Sequence, residues 1–283
     1  MEGKAVQKRT AEEEQGVEEF KQFLRIKTIS QEGHKGANWE AVRFLQALLD
    51  QMGLHTKTVE CIQGKPILIA TLVGEEPSLP SILLNSHYDV VPAVEAMWKV
   101  DPWAAVEDEE GNIFGRGTQD MKYIVALRQL IKEGKKFKRT IHLTFVPDEE
   151  IGGVQGMKEF VVTDDFKNLN VALALDEGLA NPTDKFTVFY GERAVWWLKV
   201  KSTGPAGHGS RFIKNTAMEK LLRSVQQFLA FRAEQEARLE AHPGCQHAAV
   251  KAEKLGDVVT LNLTMLQVSL KTLRTVSSRL NAS

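Results

Sequence analysis

The chain has 283 residues, 43% of them hydrophobic and 26% charged, a balance typical of a globular protein with one large or two ordinary domains. Its formal net charge of −1 gives no reason to expect nucleic acid or an anionic membrane surface as a partner. The 2 cysteines, Cys61 and Cys245, lie too far apart in sequence to indicate a disulfide framework or a thiolate zinc site.

The amino-terminal segment is predicted to start polar and then form two amphipathic helices. Met1–Gln15 lacks the apolar centre of a secretory signal, and no apolar run approaches ~18 residues, so we expect a cytoplasmic location without a membrane span. Apolar residues recur at helical spacing over Glu12–Arg25 and over Asn38–Met52. Asn38 is predicted to cap the second helix, and Gly53 to end it.

Strands and helices then alternate up to about residue 190. The predicted strands are Ile67–Leu72, Ile82–Leu84, Thr140–Val146 and Val171–Leu175, and the predicted helix is Met121–Glu133. This alternation predicts an α/β fold with a largely parallel sheet. We therefore assign residues 1–190 to a first domain.

The pattern changes after Tyr190. A strand over Ala194–Val200, a helix over Thr216–Leu239 and a strand over Val258–Val268 predict a smaller α+β domain at residues 191–268. Adjacent side chains on a strand point to opposite faces, so Trp196 and Trp197 are expected to pack in a core and at an interface. The tail, residues 269–283, is basic and is expected to fray.

Histidine and acidic residues follow the predicted strands of the first domain or begin its helix. They are His87, Asp89, Asp120, Glu149, Glu150 and Glu177. Sites in open α/β sheets form beyond the carboxyl ends of the strands, so these side chains are expected to converge at one edge. One imidazole with several carboxylates suits two zinc ions that share a bridging carboxylate.

Each of these residues has a simpler explanation when taken alone. An isolated acid is more often a helix cap or part of a solvated turn, and an isolated histidine is more often buried and hydrogen-bonded than bound to metal. Their common position at strand ends favours a metal site. His87 and Asp89 lie two residues apart and share a face of an extended chain, so Asp89 is expected to orient the imidazole ring.

The sequences of these motifs resemble those of the family of zinc aminoacylases, carboxypeptidases and dipeptidases. Within this family, the resemblance is to the aminoacylases. The resemblance runs from about Val17 to Leu266 and rests on the strings SILLNSHYDVVP, GRGTQDMK, FVPDEEIGG, ALDEG, NPTDKFTVFY, ERAVWWLKV and STGPAGHGSRF. It implies hydrolysis of an N-acyl-L-amino acid to a free amino acid and a carboxylate. It also implies that residues 1–190 form a zinc-binding catalytic domain and residues 191–268 part of a lid and dimerisation domain.

The resemblance also implies a role for each matched residue. His87, Asp120 and Glu177 would hold the first zinc ion, Asp120 would bridge to the second, and Glu150 would bind the second. Glu149 would be the general base, which takes a proton from the attacking water and delivers it to the leaving amine. Asp89 would orient His87.

His208 lies between two glycines in the second predicted domain. In the family, the corresponding loop histidine reaches the neighbouring subunit's site and stabilises the developing oxyanion, which would require a homodimer. The alternative is an ordinary solvated loop histidine.

The sequence departs from the family near its end. Family members supply a late histidine to the second zinc ion, whereas here His242 and His247 sit in no matching motif, and the sequence after Leu266 diverges. We therefore expect an incomplete second zinc site and a truncated or alternative carboxyl terminus. Two alternatives to an active aminoacylase stay open: a catalytically impaired variant that acts only as a dimerising partner, and a dipeptidase or carboxypeptidase.

Overall fold

The computed structural model describes residues 9–118, 123–178, 183, 185, 188–189, 191, 193–240 and 255–267. The chain divides into two compact units, Met1–Val188 and Phe189–Ser283. Among the described residues, none of the helices is both long and apolar enough to cross a membrane.

A mixed five-stranded sheet forms the centre of the first unit. Its strands are β1 (His55–Ile62), β2 (Lys65–Leu72), β3 (Ser81–His87), β6 (Ile141–Val146) and β7 (Val171–Leu175), in the order β1-β2-β6-β3-β7. The pairs β6–β3 and β3–β7 are parallel, whereas β2 is antiparallel to both of its neighbours. Four strands therefore share one direction, which confirms the predicted α/β fold with a largely parallel sheet. A separate ribbon pairs β4 (Val106–Glu107) with β5 (Ile113–Phe114).

Helices surround this sheet. The first unit contains α1 (Ala11–Leu24), α2 (Asn38–Gln51), α3 (Tyr123–Lys132), α4 (Met157–Phe160) and α5 (Asp164–Lys167). Short 3-10 turns occupy Ser30–Lys35, Glu95–Met97 and Glu149–Ile151. The first three helices match the predicted ones, apart from positions 121 and 122, which lie outside the described residues.

Two layers of apolar residues cover opposite faces of the sheet. Along β2, Leu68 and Ala70 pack on the α2 side, where Leu45 and Leu49 are buried. The intervening Ile67 and Ile69 pack on the other side, against Phe160 of α4. This period of two is the alternation that a strand imposes, so both faces of β2 are buried.

Asn38 does not cap α2, so that prediction is wrong. The N-cap position is Ala37, and the Asn38 side-chain amide donates to the carbonyls of Gly33 at 3.2 Å and Gly64 at 2.9 Å. These acceptors come from the preceding turn and from the β1–β2 hairpin, whose glycine has a φ of 75°. The Asn38 side chain therefore binds acceptors outside the helix instead of capping it. Gly53 ends the helix as predicted, with a φ of 80°.

The second unit contains one long helix, α6 (Ala217–Glu240). Thr216 caps it, because its hydroxyl oxygen accepts the Glu219 N–H at 3.2 Å. The Glu219 carboxylate in turn accepts the N–H of Asn215, the residue before Thr216, at 2.8 Å.

The two strands predicted beside α6 are wrong for the positions that the structure describes. Residues 194–200 contain no strand, and residues 258–267 contain only an isolated bridge, while residue 268 and the tail lie outside the described residues. Strands need a partner to satisfy their backbone groups, and the described part of this unit offers none. Trp196 and Trp197 are 79% and 84% exposed, so neither is packed in a core.

His142 on β6 makes the stability of the first unit depend on pH. Its side chain is buried, and its Nδ1 lies 2.9 Å from the hydroxyl oxygen of Thr71 on β2. Burial lowers the pKa of His142, although a backbone hydrogen bond at Leu169 opposes the shift. The unfolded chain, in which histidine titrates near ~6.5, therefore binds the proton more readily than the folded chain does.

We expect the free energy of unfolding to fall as the pH decreases below ~6.5, and His142→Asn to reduce this pH dependence. Urea midpoints from pH 8 to pH 5 measure the effect, with exposed His55→Asn as the matched control. If His142→Asn and His55→Asn gave the same pH dependence as the unmodified chain, His142 would not be the group responsible.

Candidate metal centre

Three neighbouring parallel strands end at the same edge of the sheet. His87 is the last residue of β3, Glu149 follows β6 by three positions, and Glu177 follows β7 by two. Because β6, β3 and β7 run in parallel, their carboxyl ends bring these side chains together. The convergence expected from the sequence is therefore observed for these three residues.

The side chains of His87, Glu149 and Glu177 form a compact donor group. Each offers one ligand atom, and these atoms all lie within 4.8 Å of one another. His87 Nε2 is 3.1 Å from Glu177 Oε1 and 3.9 Å from Glu149 Oε2. The imidazole is buried, whereas the side chains of Glu177 and Glu149 are 31% and 50% exposed, so the group opens to solvent on the carboxylate side.

The orientation of the His87 ring is fixed by Asp89. Nδ1 lies 2.8 Å from the backbone carbonyl oxygen of Asp89, and the nearest carboxylate oxygen of Asp89 is further away, at 3.4 Å. Nδ1 therefore donates its proton mainly to the backbone, and Nε2 faces the glutamates. Burial alone would lower the pKa of His87, but hydrogen bonds to Asp89 and Glu177 outweigh it and raise the pKa to about 11.

The Asp89 carboxylate connects three segments of the first unit. It accepts the hydroxyl of Ser30 at 2.7 Å and the backbone N–H groups of Glu149 and Glu150 at 3.0 and 3.3 Å. Burial would raise the pKa of Asp89, but these donors and His87 lower it, so the group is a carboxylate. Asp89 thus positions both the histidine ring and the main chain of the glutamate pair.

Glu149 is placed among like charges. Partial burial is the first cause of its raised pKa, the carboxylates of Glu177 and Glu150 add to it, and His87 opposes it. A carboxylate whose pKa is raised toward neutrality is a stronger base than an ordinary glutamate. This position suits a residue that takes up and releases a proton.

A chain of polar contacts lies behind Glu177 and is buried at Asn85 and Thr144. The hydroxyl of Thr144 on β6 donates to Asn85 Oδ1 at 2.7 Å, which orients the amide so that Asn85 Nδ2 donates to Asp176 at 2.8 Å. Asp176 in turn accepts the backbone N–H of Glu177 at 2.9 Å. Ser30, Asn85 and Thr144 were not predicted as site residues from the sequence, although polar residues inside apolar strands are a signal for Asn85 and Thr144.

The remaining predicted site residues lie outside this group. Glu150 is adjacent but is not one of the three clustered residues, and Asp120 lies outside the described residues. His208 belongs to the second unit, where its Nδ1 is 2.7 Å from the Ser210 hydroxyl and accepts the Ser210 N–H at 3.3 Å. His242 and His247 also lie outside the described residues.

An α/β sheet with a histidine and carboxylates at its carboxyl edge is an architecture that metal-dependent hydrolases use. The model of peptidase family M20/M25/M40 matches residues 83–271, and the chain belongs to this family. This confirms the family resemblance found in the sequence motifs.

Individual relatives refine the comparison. The chain is 49% identical over 266 residues to aminoacylase-1 of Dictyostelium discoideum, covering 92% of this chain and 63% of that protein. It is 48% identical over 261 residues to aminoacylase-1 of Homo sapiens, covering 90% of this chain and 61% of that protein. The chain therefore spans about three fifths of the length of these relatives.

The fold is also similar to that of a solved structure. The M20 family metallo-carboxypeptidase Sso-CP2 from Sulfolobus solfataricus aligns over 60% of this chain and 38% of that one, with a TM-score of 0.50 and 23% identity. At this identity the similarity supports the fold alone.

Proposed function

We propose that this chain carries out zinc-dependent hydrolysis of N-acyl-L-amino acids to a free amino acid and a carboxylate. The observation that carries the proposal is the group formed by His87, Glu149 and Glu177, in a chain 49% identical to an aminoacylase-1. The chain spans about three fifths of the length of the relatives that carry the name aminoacylase-1.

The donor set fits a zinc ion. Zinc binds imidazole nitrogen and carboxylate oxygen, and an outer hydrogen bond from the other ring nitrogen is the usual way to orient such a histidine. His87 has this arrangement, with Nδ1 bound to Asp89 and Nε2 toward Glu177. The partly exposed carboxylates of Glu149 and Glu177 also lie beside each other, so a bound cation would reduce the electrostatic repulsion between them.

We propose four residues as metal ligands. His87, Asp120 and Glu177 would bind the first zinc ion, with Asp120 bridging, and Glu150 would bind the second. Zinc, when bound, supplies Lewis acidity and lowers the pKa of water toward ~7. The family resemblance implies two zinc ions per subunit.

Glu149 would act as the general base. It would take a proton from the attacking water and pass it to the nitrogen of the leaving amine, so one carboxylate serves both halves of amide cleavage. Its raised pKa supports this role, because it holds a proton better than an ordinary glutamate between the two transfers. Asp89 would hold both the His87 ring and the main chain of Glu149 in position.

His208 would stabilise the oxyanion in the site of a partner subunit, which makes a homodimer part of the proposal. A backbone N–H can only donate, so the contact from Ser210 makes Nδ1 the acceptor and leaves the ring proton on Nε2. An Nε2–H donor is the form that an oxyanion needs. A cytoplasmic location and a role in amino acid metabolism complete the proposal.

The test is a comparison of substrates with the protein carrying zinc. We expect turnover of N-acetyl-L-methionine with kcat/KM at least ~10-fold above that of matched dipeptides. Faster cleavage of dipeptides would favour a dipeptidase or carboxypeptidase. Binding of zinc with no turnover of either class, together with dimer formation, would instead favour an impaired chain that acts as a dimerising partner.

A further inference from the structure

A buried ion pair lies directly behind the Glu149–Glu150 turn. The ammonium group of Lys65 contacts Asp148 Oδ1, and the two side chains are 6% and 3% exposed. Charged residues are rarely this buried unless each has a partner. The pair is not one of the predicted metal ligands, and the sequence analysis did not identify it.

The sheet explains why these two residues meet. Lys65 begins β2, which runs antiparallel to β6, so the start of β2 lies at the edge where β6 ends. The ladder pairs Leu68 with Phe145, and continuing it beyond both residues brings Lys65 opposite Asp148. Facing residues of an antiparallel pair project on the same side. The long-range register of β2 against β6 thus creates the ion pair.

Asp148 holds the following turn through both its side chain and its main chain. Its second carboxylate oxygen accepts the N–H of Gln155 at 3.0 Å, and its carbonyl accepts the N–H of Gly153 at 2.6 Å. Its backbone is left-handed, with a φ of 75°. A non-glycine residue in this conformation is strained, and such strain persists only where the surroundings fix it. The surroundings here are the buried Lys65 contact and the two turn hydrogen bonds.

The turn is therefore held from two sides. Asp89 binds the N–H groups of Glu149 and Glu150 from the β3 side, and Asp148 anchored by Lys65 holds the chain before and after them. The Glu149 side chain is half exposed, and its contact with His87 Nε2 is 3.9 Å long, which is beyond hydrogen-bond distance. The direction in which Glu149 points therefore depends on the main chain that Lys65 and Asp148 hold.

We infer that Lys65 and Asp148 are positioning residues that set the orientation of Glu149 for the proposed hydrolysis. This inference rests on the proposed function for its effect on turnover. Its effect on the turn itself does not depend on the substrate or on the reaction. Partners that orient site residues in this way typically change activity or metal affinity by ~10–100-fold when they are removed.

The main test is Lys65→Met, which keeps an unbranched side chain that is one atom shorter and removes the charge. We expect kcat to fall ~10–100-fold with KM within ~2-fold, because substrate contacts stay and the base is misdirected. Amide hydrogen exchange of the segment 147–155, in which every residue after Pro147 carries a backbone N–H, should accelerate while β6 stays protected. Lys65→Arg, which keeps the charge, should retain most of the activity.

Lys57→Met is the matched control. Lys57 lies on β1 and also contacts an aspartate, Asp165, but its side chain is 61% exposed. A lysine-to-methionine change in this exposed pair should leave kcat and the exchange of residues 147–155 unchanged. Equal effects of Lys57→Met and Lys65→Met would mean that the loss of any lysine pair, rather than the buried position, is responsible.

The double variant Lys65→Met with Asp148→Asn separates positioning from stability, and it also serves if Lys65→Met alone does not fold. It leaves no unpaired buried charge, and asparagine tolerates the left-handed backbone. We expect the melting temperature to recover while kcat stays low and residues 147–155 still exchange faster. Recovery of all three quantities would reduce the pair to a structural role and overturn the inference.

Failure of this inference can be distinguished from failure of the proposed function. If the unmodified chain hydrolysed no N-acyl amino acid, the proposed function would be refuted. Hydrogen exchange of residues 147–155 and zinc affinity measured against a competing chelator would still decide the role of Lys65. Unchanged exchange, zinc affinity and turnover in folded Lys65→Met would refute the inference alone.

Discussion

Glu149→Gln is expected to lower kcat by roughly 10²–10⁴-fold while zinc stays bound. The amide has nearly the shape of the carboxylate but cannot accept a proton at neutral pH, so the transfer from water to the leaving amine is lost. The reduction corresponds to about 2.7–5.5 kcal/mol of transition-state stabilisation. KM should change little, because Glu149 would contact the attacking water in the bound complex and reach the substrate nitrogen only during cleavage.

Zinc content must be measured together with kcat for this variant. The clustered group contains Glu149 rather than Glu150, although the resemblance implies that Glu150 is the ligand and Glu149 the base. Loss of zinc from Glu149→Gln with zinc retained by Glu150→Gln would reverse the two assignments. Glu159→Gln, at an exposed position on α4, is the control for a glutamate-to-glutamine change in the same unit.

Local apolar patterns predicted α2 and β7. The buried stripe Ala41, Leu45 and Leu49 repeats at helical spacing, and α2 formed over that segment. The predicted strand Val171–Leu175 has the bounds of β7. In both cases the apolar pattern of the segment alone specifies the element, whether its residues are buried, as on α2, or mostly exposed, as on the edge strand β7.

Elements and contacts that depend on distant partners were harder to predict. β1 lies at the edge of the sheet and mixes polar with apolar residues, so the sequence analysis did not assign it. The run Ala194–Val200 has the composition of a strand, but the described part of its unit provides no pairing strand.

The candidate site shows the same division. His87, Glu149 and Glu177 were predictable because each follows a predicted strand, and parallel strand ends meet. Lys65 was not predictable from local pattern, since it lies 83 positions from Asp148 and faces it only through the register of β2 against β6. Supporting residues of a site are therefore determined by topology more than by motif.

His87→Asn is expected to remove most of the zinc affinity, with a loss greater than ~10²-fold, and to abolish turnover at limiting zinc. His87 would supply the nitrogen donor of the first zinc site, and asparagine is too short to place a donor atom at the position of Nε2. The expected loss exceeds that for residues that only orient ligands, which is ~10–100-fold. Asp89→Asn should fall in that lower range, because the His87 ring is held mainly by the Asp89 backbone carbonyl, which remains.

Thermal unfolding with and without zinc measures how well His87→Asn binds zinc, and it needs no substrate. A ligand that binds only the folded state stabilises it by RT ln(1 + [L]/Kd), so zinc at ~100 times its Kd adds about 2.7 kcal/mol to the unmodified chain. His87→Asn should lose this gain, and the exposed His55→Asn should keep it. A full zinc-dependent gain in His87→Asn would place the metal on other residues and remove His87 from the site. Removal of zinc with a chelator should give the unmodified chain the lower stability and the lost turnover of His87→Asn. Added zinc should then restore turnover in the unmodified chain but not in His87→Asn.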